Sequence, residues 1–222
     1  MVFVQRLPIA MFPEDSRLDP HQIQSIDELE SLFDTPGEAA IKKEVDRLVP
    51  VYRRLIEASP FYVMATEGPG GLDCSPRGDP AGFVQVLDDR HIALPERRGN
   101  NRIDSLRNLV DDPRVGLLFL VPGKNETLRV NGRARVTTDP ALLERTAMKG
   151  KPPQCVIVVE VETVFFQCAR ALLRASLWDP DSRKLAEQTP TAGEMLAGVP
   201  ESSIDGAAYD DGLDERQART LY

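Results

Sequence analysis

The stretch Phe61-Tyr62-Val63-Met64-Ala65-Thr66-Glu67-Gly68-Pro69-Gly70-Gly71-Leu72-Asp73-Cys74-Ser75-Pro76-Arg77-Gly78-Asp79-Pro80 decides the fold class. Its first six residues are β-rich, and Gly68-Pro69-Gly70-Gly71 can only be a turn. A second strand begins at 74–77 and breaks at Gly78-Asp79-Pro80. Strands separated by so short a turn pair antiparallel, because a parallel pair needs a crossover of a dozen residues or more.

The same texture continues outward. Strands are expected at 83–87 and 91–94 around a tight turn at Asp88-Asp89, then at 115–121 and 127–136 joined through Pro122-Gly123-Lys124-Asn125. The longest β segment is 155–166, in which Val156-Ile157-Val158-Val159 is a continuous apolar run and later residues alternate with Glu160 and Glu162. Helices are expected at 25–33 within an irregular arm over 1–35, and at 38–58, where Ile41, Val45, Leu48, Val49, Tyr52, Leu55 and Ile56 recur at helical steps. Further helices are expected at 103–110, 139–148, 169–177 and 192–196, and the charged stretch 210–219 reads as exposed or disordered unless a partner covers it. The sum is a mainly β chain with helical additions, a small antiparallel barrel. Three parts are expected: an N-terminal arm and helix over 1–58, a barrel domain over 59–182, and a C-terminal tail with a helical extension over 183–222.

Composition bounds the function. The 222 residues carry 27 Lys and Arg against 35 Asp and Glu, a formal charge of −8. That acidic balance argues against nucleic acid as a partner. No apolar run approaches the roughly 20 residues of a membrane span, and the first residues do not read as a signal peptide. Cys74, Cys155 and Cys168 form no Cys-x-x-Cys pair and suit a reducing cytoplasm. With only His21 and His91, a histidine-rich metal site and a Cys-His nucleophile are disfavoured. Nucleophile-elbow, P-loop and Gly-x-Gly-x-x-Gly motifs are absent, which disfavours hydrolases and kinases.

One segment departs from the acidic average: Leu94-Pro95-Glu96-Arg97-Arg98-Gly99-Asn100-Asn101-Arg102-Ile103-Asp104-Ser105-Leu106-Arg107. Arginines here cluster at a strand-to-helix junction. Unpaired N–H groups and the positive end of the helix dipole favour an anion there, and guanidinium can grip two phosphate oxygens at once. Asn100, Asn101 and Ser105 add neutral hydrogen bonds or caps; the plainer alternative is a solvated charged turn. Ser75-Pro76-Arg77-Gly78 is a second candidate, since Gly78 allows close backbone approach to a ligand. Trp178 is either a core residue or an aromatic cover for a planar cofactor.

Taken in order, these motifs resemble the FMN-binding split-barrel proteins of the pyridoxamine 5′-phosphate oxidase-like family, in the bacterial branch with an N-terminal helical extension. The likeness runs through 61–66, 74–79, 93–102, 104–109, 112–119, 127–134, 165–171 and Leu177-Trp178-Asp179-Pro180. It implies a homodimer with FMN at the subunit interface, each flavin contacted by both subunits. It places Asn100, Asn101 and Arg102 on the FMN phosphate, the segment Pro95-Glu96-Arg97-Arg98 with the backbone near Arg77 along the ribityl chain and ring edge, and Thr127 as a polar contact to the flavin. The sequence departs from the vitamin B6 oxidases at Asn101-Arg102, where they carry Arg-Lys, and it lacks their Arg-x-His substrate pattern. The expected function is therefore an FMN-dependent oxidoreductase acting on a small molecule other than pyridoxamine phosphate. The alternatives are a module holding deazaflavin or haem, or one that stores flavin without turnover. No catalytic side chain is singled out.

Overall fold

The computed structural model describes residues 21–222, so the arm expected over 1–20 lies outside the described residues. The chain divides into two compact units at Lys43/Glu44. In the first, α1 (Ile26–Glu30) is capped by Ser25, whose Oγ accepts from the Glu28 N–H at 3.1 Å, and α2 (Glu38–Lys42) follows Gly37.

The single helix expected over 38–58 is corrected to two, α2 and α3 (Pro50–Ala58). Pro50 is the reason. It has no N–H for a preceding turn and forces Val49 into extended geometry (ψ 156°), yet it suits the first helical position. Between the helices Val45 forms an isolated bridge with Val164 instead of a helical turn.

The second unit is built on seven antiparallel strands: β1 (Phe61–Gly68), β2 (Gly71–Gly78), β3 (Gln85–Val86), β4 (His91–Pro95), β5 (Arg114–Leu120), β6 (Thr127–Thr137) and β7 (Val156–Gln167). Their order is β2-β1-β5-β6-β7-β4-β3, with every pairing antiparallel. The mainly β reading with helical additions therefore holds. The strand expected at 83–87 shrinks to two residues, with Phe83 and Val84 buried but outside the ladder.

Burial explains the sequence pattern. β5 and β6 alternate, one face in the core and one outside. The unbroken run Val156–Val159 is buried on both faces. Ile157 and Val159 enter the main core, whereas Val156 and Val158 pack with Ala93 under Leu142 and Leu143 of α5 (Pro140–Arg145). At the centre Tyr62 stacks on Phe83 and tilts against Phe119, with centroids 5.7 and 5.3 Å apart.

The helix α4 (Asp104–Asp111) connects β4 to β5 and lies against β1, β2 and β6. Beyond β7 come α6 (Arg170–Arg174), a 3-10 helix (Pro180–Gln188), α7 (Ala192–Ala197), α8 (Gly206–Asp211) and α9 (Leu213–Thr220). The stretch 210–219, expected to be exposed or disordered, is thus mostly helical. Thr191 and Glu194 form a reciprocal cap on α7, Asp210 accepts from the Gly193 N–H at 2.7 Å, and Arg216 lies 4.2 Å over the Tyr209 ring. These polar contacts, with backbone N–H groups and a ring face, leave no trace in hydrophobic periodicity.

Candidate functional site

Strand β2 is an edge strand, and its period of two puts Asp73, Ser75 and Arg77 on one half-buried face. Ser105, buried in the first turn of α4, meets that face. Its Oγ donates to Asp73 Oδ2 at 2.5 Å and accepts from Arg77 Nη2 at 3.1 Å, while Ser75 Oγ also donates to Asp73 at 3.0 Å. The Arg77 guanidinium is thereby aimed by a serine that is itself fixed by an acid.

After β4 the chain turns through 96–103. Asn101 (φ 60°) and Ile103 (φ 54°) both adopt the left-handed region. For β-branched Ile103 this costs on the order of 1–3 kcal/mol. The Arg102 N–H donates to Asn100 Oδ1 at 3.0 Å, which closes the turn. This bend and the β2 face enclose a cavity of about 460 Å³, within the roughly 300–1,000 Å³ of small-molecule sites. It collects Arg77, Arg97, Arg98, Asn100, Asn101, Arg102 and Ser105 from the sequence-derived candidates. Thr127 and Trp178 are elsewhere. Thr127 is buried opposite Gln167 at the start of β6, and Trp178 Nε1 donates to the Lys124 carbonyl at 2.8 Å.

The arginines are not equivalent. Arg97 Nε lies 2.5 Å from Asp79 Oδ2, and that carboxylate is only 1% exposed. Arg102 pairs with Asp104 at 2.8 Å, but Arg102 is more than half exposed, so the pair contributes little. Arg98 has no hydrogen-bond or ion-pair partner among the described residues. Arg77 Nε sits 3.3 Å from Glu96 Oε2, close enough to attract as a charge but without hydrogen-bond alignment, so both buried atoms lack a hydrogen-bond partner. Burial pushes the Glu96 carboxyl above the ordinary carboxylate range, and Arg77 offsets this only in part.

A pH dependence follows. The folded protein holds the Glu96 proton more tightly than the unfolded chain does. As pH rises from the ordinary carboxylate value to the raised one, the unfolded chain deprotonates first, and stability falls over that window. Glu96→Gln should remove this fall and leave stability at neutral pH no lower than in the parent; urea midpoints across pH 4–7 check it. An unchanged pH slope would refute the assignment to Glu96.

Two residues that sequence reasoning did not assign complete the site. Asp73 holds Arg77 together with Glu96, which stands in the segment 95–98 that the resemblance lays along the ribityl chain, and the Asp73-x-Ser75-x-Arg77 alternation is a signal that could have found Asp73. Tyr222 is the second: its hydroxyl donates to Asp79 Oδ1 at 2.7 Å, and its carbonyl accepts from Lys151 Nζ at 3.0 Å. A partner separated by 143 positions has no local signal. Among the described residues no group of three His, Cys, Asp or Glu side chains could hold a metal, and no helix is long and apolar enough to cross a membrane.

Comparison with known proteins gives one family. The model described as pyridoxamine 5′-phosphate oxidase matches residues 48–168. Among solved structures, HupZ of Group A Streptococcus is 20% identical, covering 54% of this chain and 93% of its own, with a TM-score of 0.44. A putative pyridoxamine 5′-phosphate oxidase of Lactobacillus delbrueckii is also 20% identical, covering 55% and 95%, with a TM-score of 0.44. An F420 reductase is 19% identical over 53% of this chain and 98% of its own, with a TM-score of 0.40. No curated protein matches the chain.

Proposed function

We propose, for a chain that belongs to the pyridoxamine 5′-phosphate oxidase family, that the cavity between β2 and the start of α4 binds FMN, and that the protein is an FMN-dependent oxidoreductase acting on a small molecule. The single observation that carries this reading is a pair of cations with unmet hydrogen-bond donors beside a helix start. Arg98 has no partner among the described residues, and the buried Arg77 Nε has no hydrogen-bond acceptor. A buried guanidinium N–H without an acceptor costs stability that a ligand anion would recover. The residues present therefore fit a phosphate group.

In this reading Arg77 and Arg98 bind the phosphate, the helix start of α4 adds the positive end of its dipole, and Asn100 and Asn101 shape the bend. When bound, the flavin ring supplies the two-electron redox chemistry, and the protein supplies orientation and exclusion of water. Thr127 and Trp178 do not line this cavity, so their expected contacts to the flavin require a second copy of the chain. A homodimer with the cofactor between subunits, in the cytoplasm, is accordingly part of the proposal.

Purified protein should carry a flavin absorbance spectrum and release FMN on denaturation; a colourless preparation that takes up no added FMN would sink the proposal. Arg98→Ala should weaken FMN by about 1.5–3 kcal/mol through the lost charged hydrogen bond. It should leave riboflavin, which lacks the phosphate, essentially unaffected. Calorimetric titration with both ligands reads the difference. A deazaflavin with a phosphate tail would use the same cations, and competition against FMN separates the two.

A further inference from the structure

A second compartment of about 300 Å³ adjoins the first. The two share the wall made by Glu96, Arg97, Arg98 and Asn101, and the second is closed on other sides by Lys151, the prolines Pro152 and Pro153, and Tyr222. Three contacts hold Tyr222 there. Its hydroxyl is bound by Asp79, its carbonyl by Lys151, and Lys149 Nζ stands 4.8 Å over its ring.

The charges in this compartment are sorted. Asp79 neutralises Arg97, and Glu96 faces Arg77. Arg98, without a partner among the described residues, is taken by the phosphate in the flavin reading, and Lys151 has two donors beyond the one used on Tyr222. The remaining lining joins a tyrosine ring and two prolines to the neutral side chains of Asn101 and Gln154. A cation with spare hydrogen-bond capacity beside a flat apolar wall matches a carboxylate carried on an aromatic frame, and it repels a cationic ligand.

We propose that this compartment is the substrate site and that it takes a small aromatic or planar carboxylate, with Lys151 meeting the carboxylate and Tyr222 forming the wall. The proposal deepens the flavin reading and rests on it for the word substrate, because the compartment opens beside the cavity assigned to FMN. The anion site itself stands on the residues named here.

Benzoate is the probe, and benzyl alcohol is its uncharged control. Calorimetric titration of the full chain, with and without saturating FMN, should show benzoate binding once per chain. Benzyl alcohol should bind at least tenfold more weakly. Lys151→Met, at an exposed position, should weaken benzoate at least tenfold while leaving FMN affinity unchanged, and Tyr222→Ala should also weaken benzoate. In the FMN-loaded protein, benzoate should perturb the visible flavin spectrum. Equal affinity for benzyl alcohol, full benzoate affinity in Lys151→Met, or no benzoate binding would each overturn the anion site. Benzoate binding that depends on Lys151 in a protein that takes up no FMN would support the anion site and overturn the flavin reading, so the two failures are distinguishable.

Discussion

Gly132→Ala should destabilise the protein by roughly 3 kcal/mol or more, seen as a lower urea midpoint with an unchanged slope. Gly132 lies on β6, where the pairing with β7 changes register: Asn131 faces Thr163, but Gly132 faces Val161, so Glu162 is the extra residue. A Cβ on Gly132 would fall 2.0 Å from the Glu160 carbonyl oxygen and 3.3 Å from Val161 Cα. These neighbours are backbone in the middle of a sheet and cannot swing aside. The bulge also resets the inward phase of β7, from Ile157, Val159 and Val161 on one side of it to Val164 on the other. Removing the bulge to make room would turn part of the strand's apolar side out of the core. A stability within about 0.5 kcal/mol of the parent would refute this account.

Asp79→Ala is expected to cost about 2–4 kcal/mol, because it strips the acid from Arg97 and the acceptor from Tyr222 in one step. The figure sits below that for a fully buried pair because Arg97 keeps 16% of its side-chain surface exposed. The hydrogen bond to Asp79, ahead of burial, pushes the Tyr222 phenol up, so it stays a neutral donor well into alkaline pH. Tyr222→Phe alone should cost only about 1 kcal/mol. In an Asp79→Ala background it should cost almost nothing, since its acceptor is already gone. A thermal or urea double-mutant cycle measures the coupling; additive losses would show that Tyr222 and Asp79 do not act together.

Much of the architecture is legible along the chain. The turn at 68–71, the Pro122-Gly123 turn and the alternation in 127–136 are local statements about backbone geometry, and β1, β2, β5 and β6 follow from them. The reading failed at Pro50, where apolar residues at helical steps ran straight through a proline that begins a new helix. Periodicity is blind to the missing N–H. At 210–219 the expected exposure holds, but the helices there, held by Thr191, Asp210 and an Arg216–Tyr209 contact rather than by an apolar stripe, were not foreseen. In the site, the arginine-rich bend was visible as a departure from the acidic average, but which arginine is available was not.

The sequence by itself determined an antiparallel, mainly β chain, and it determined that cations gather where a strand meets a helix, because turn chemistry and local charge are properties of neighbours. The tertiary structure alone decided that Arg97 is committed to Asp79, that Arg77 is aimed by Ser105 and Asp73, and that Arg98 has no partner among the described residues. It alone brought Tyr222 across 143 positions to wall the second compartment. The physical reason is that a guanidinium's availability depends on which acids lie within a few ångströms, and those acids arrive from distant strands only when the sheet closes around them.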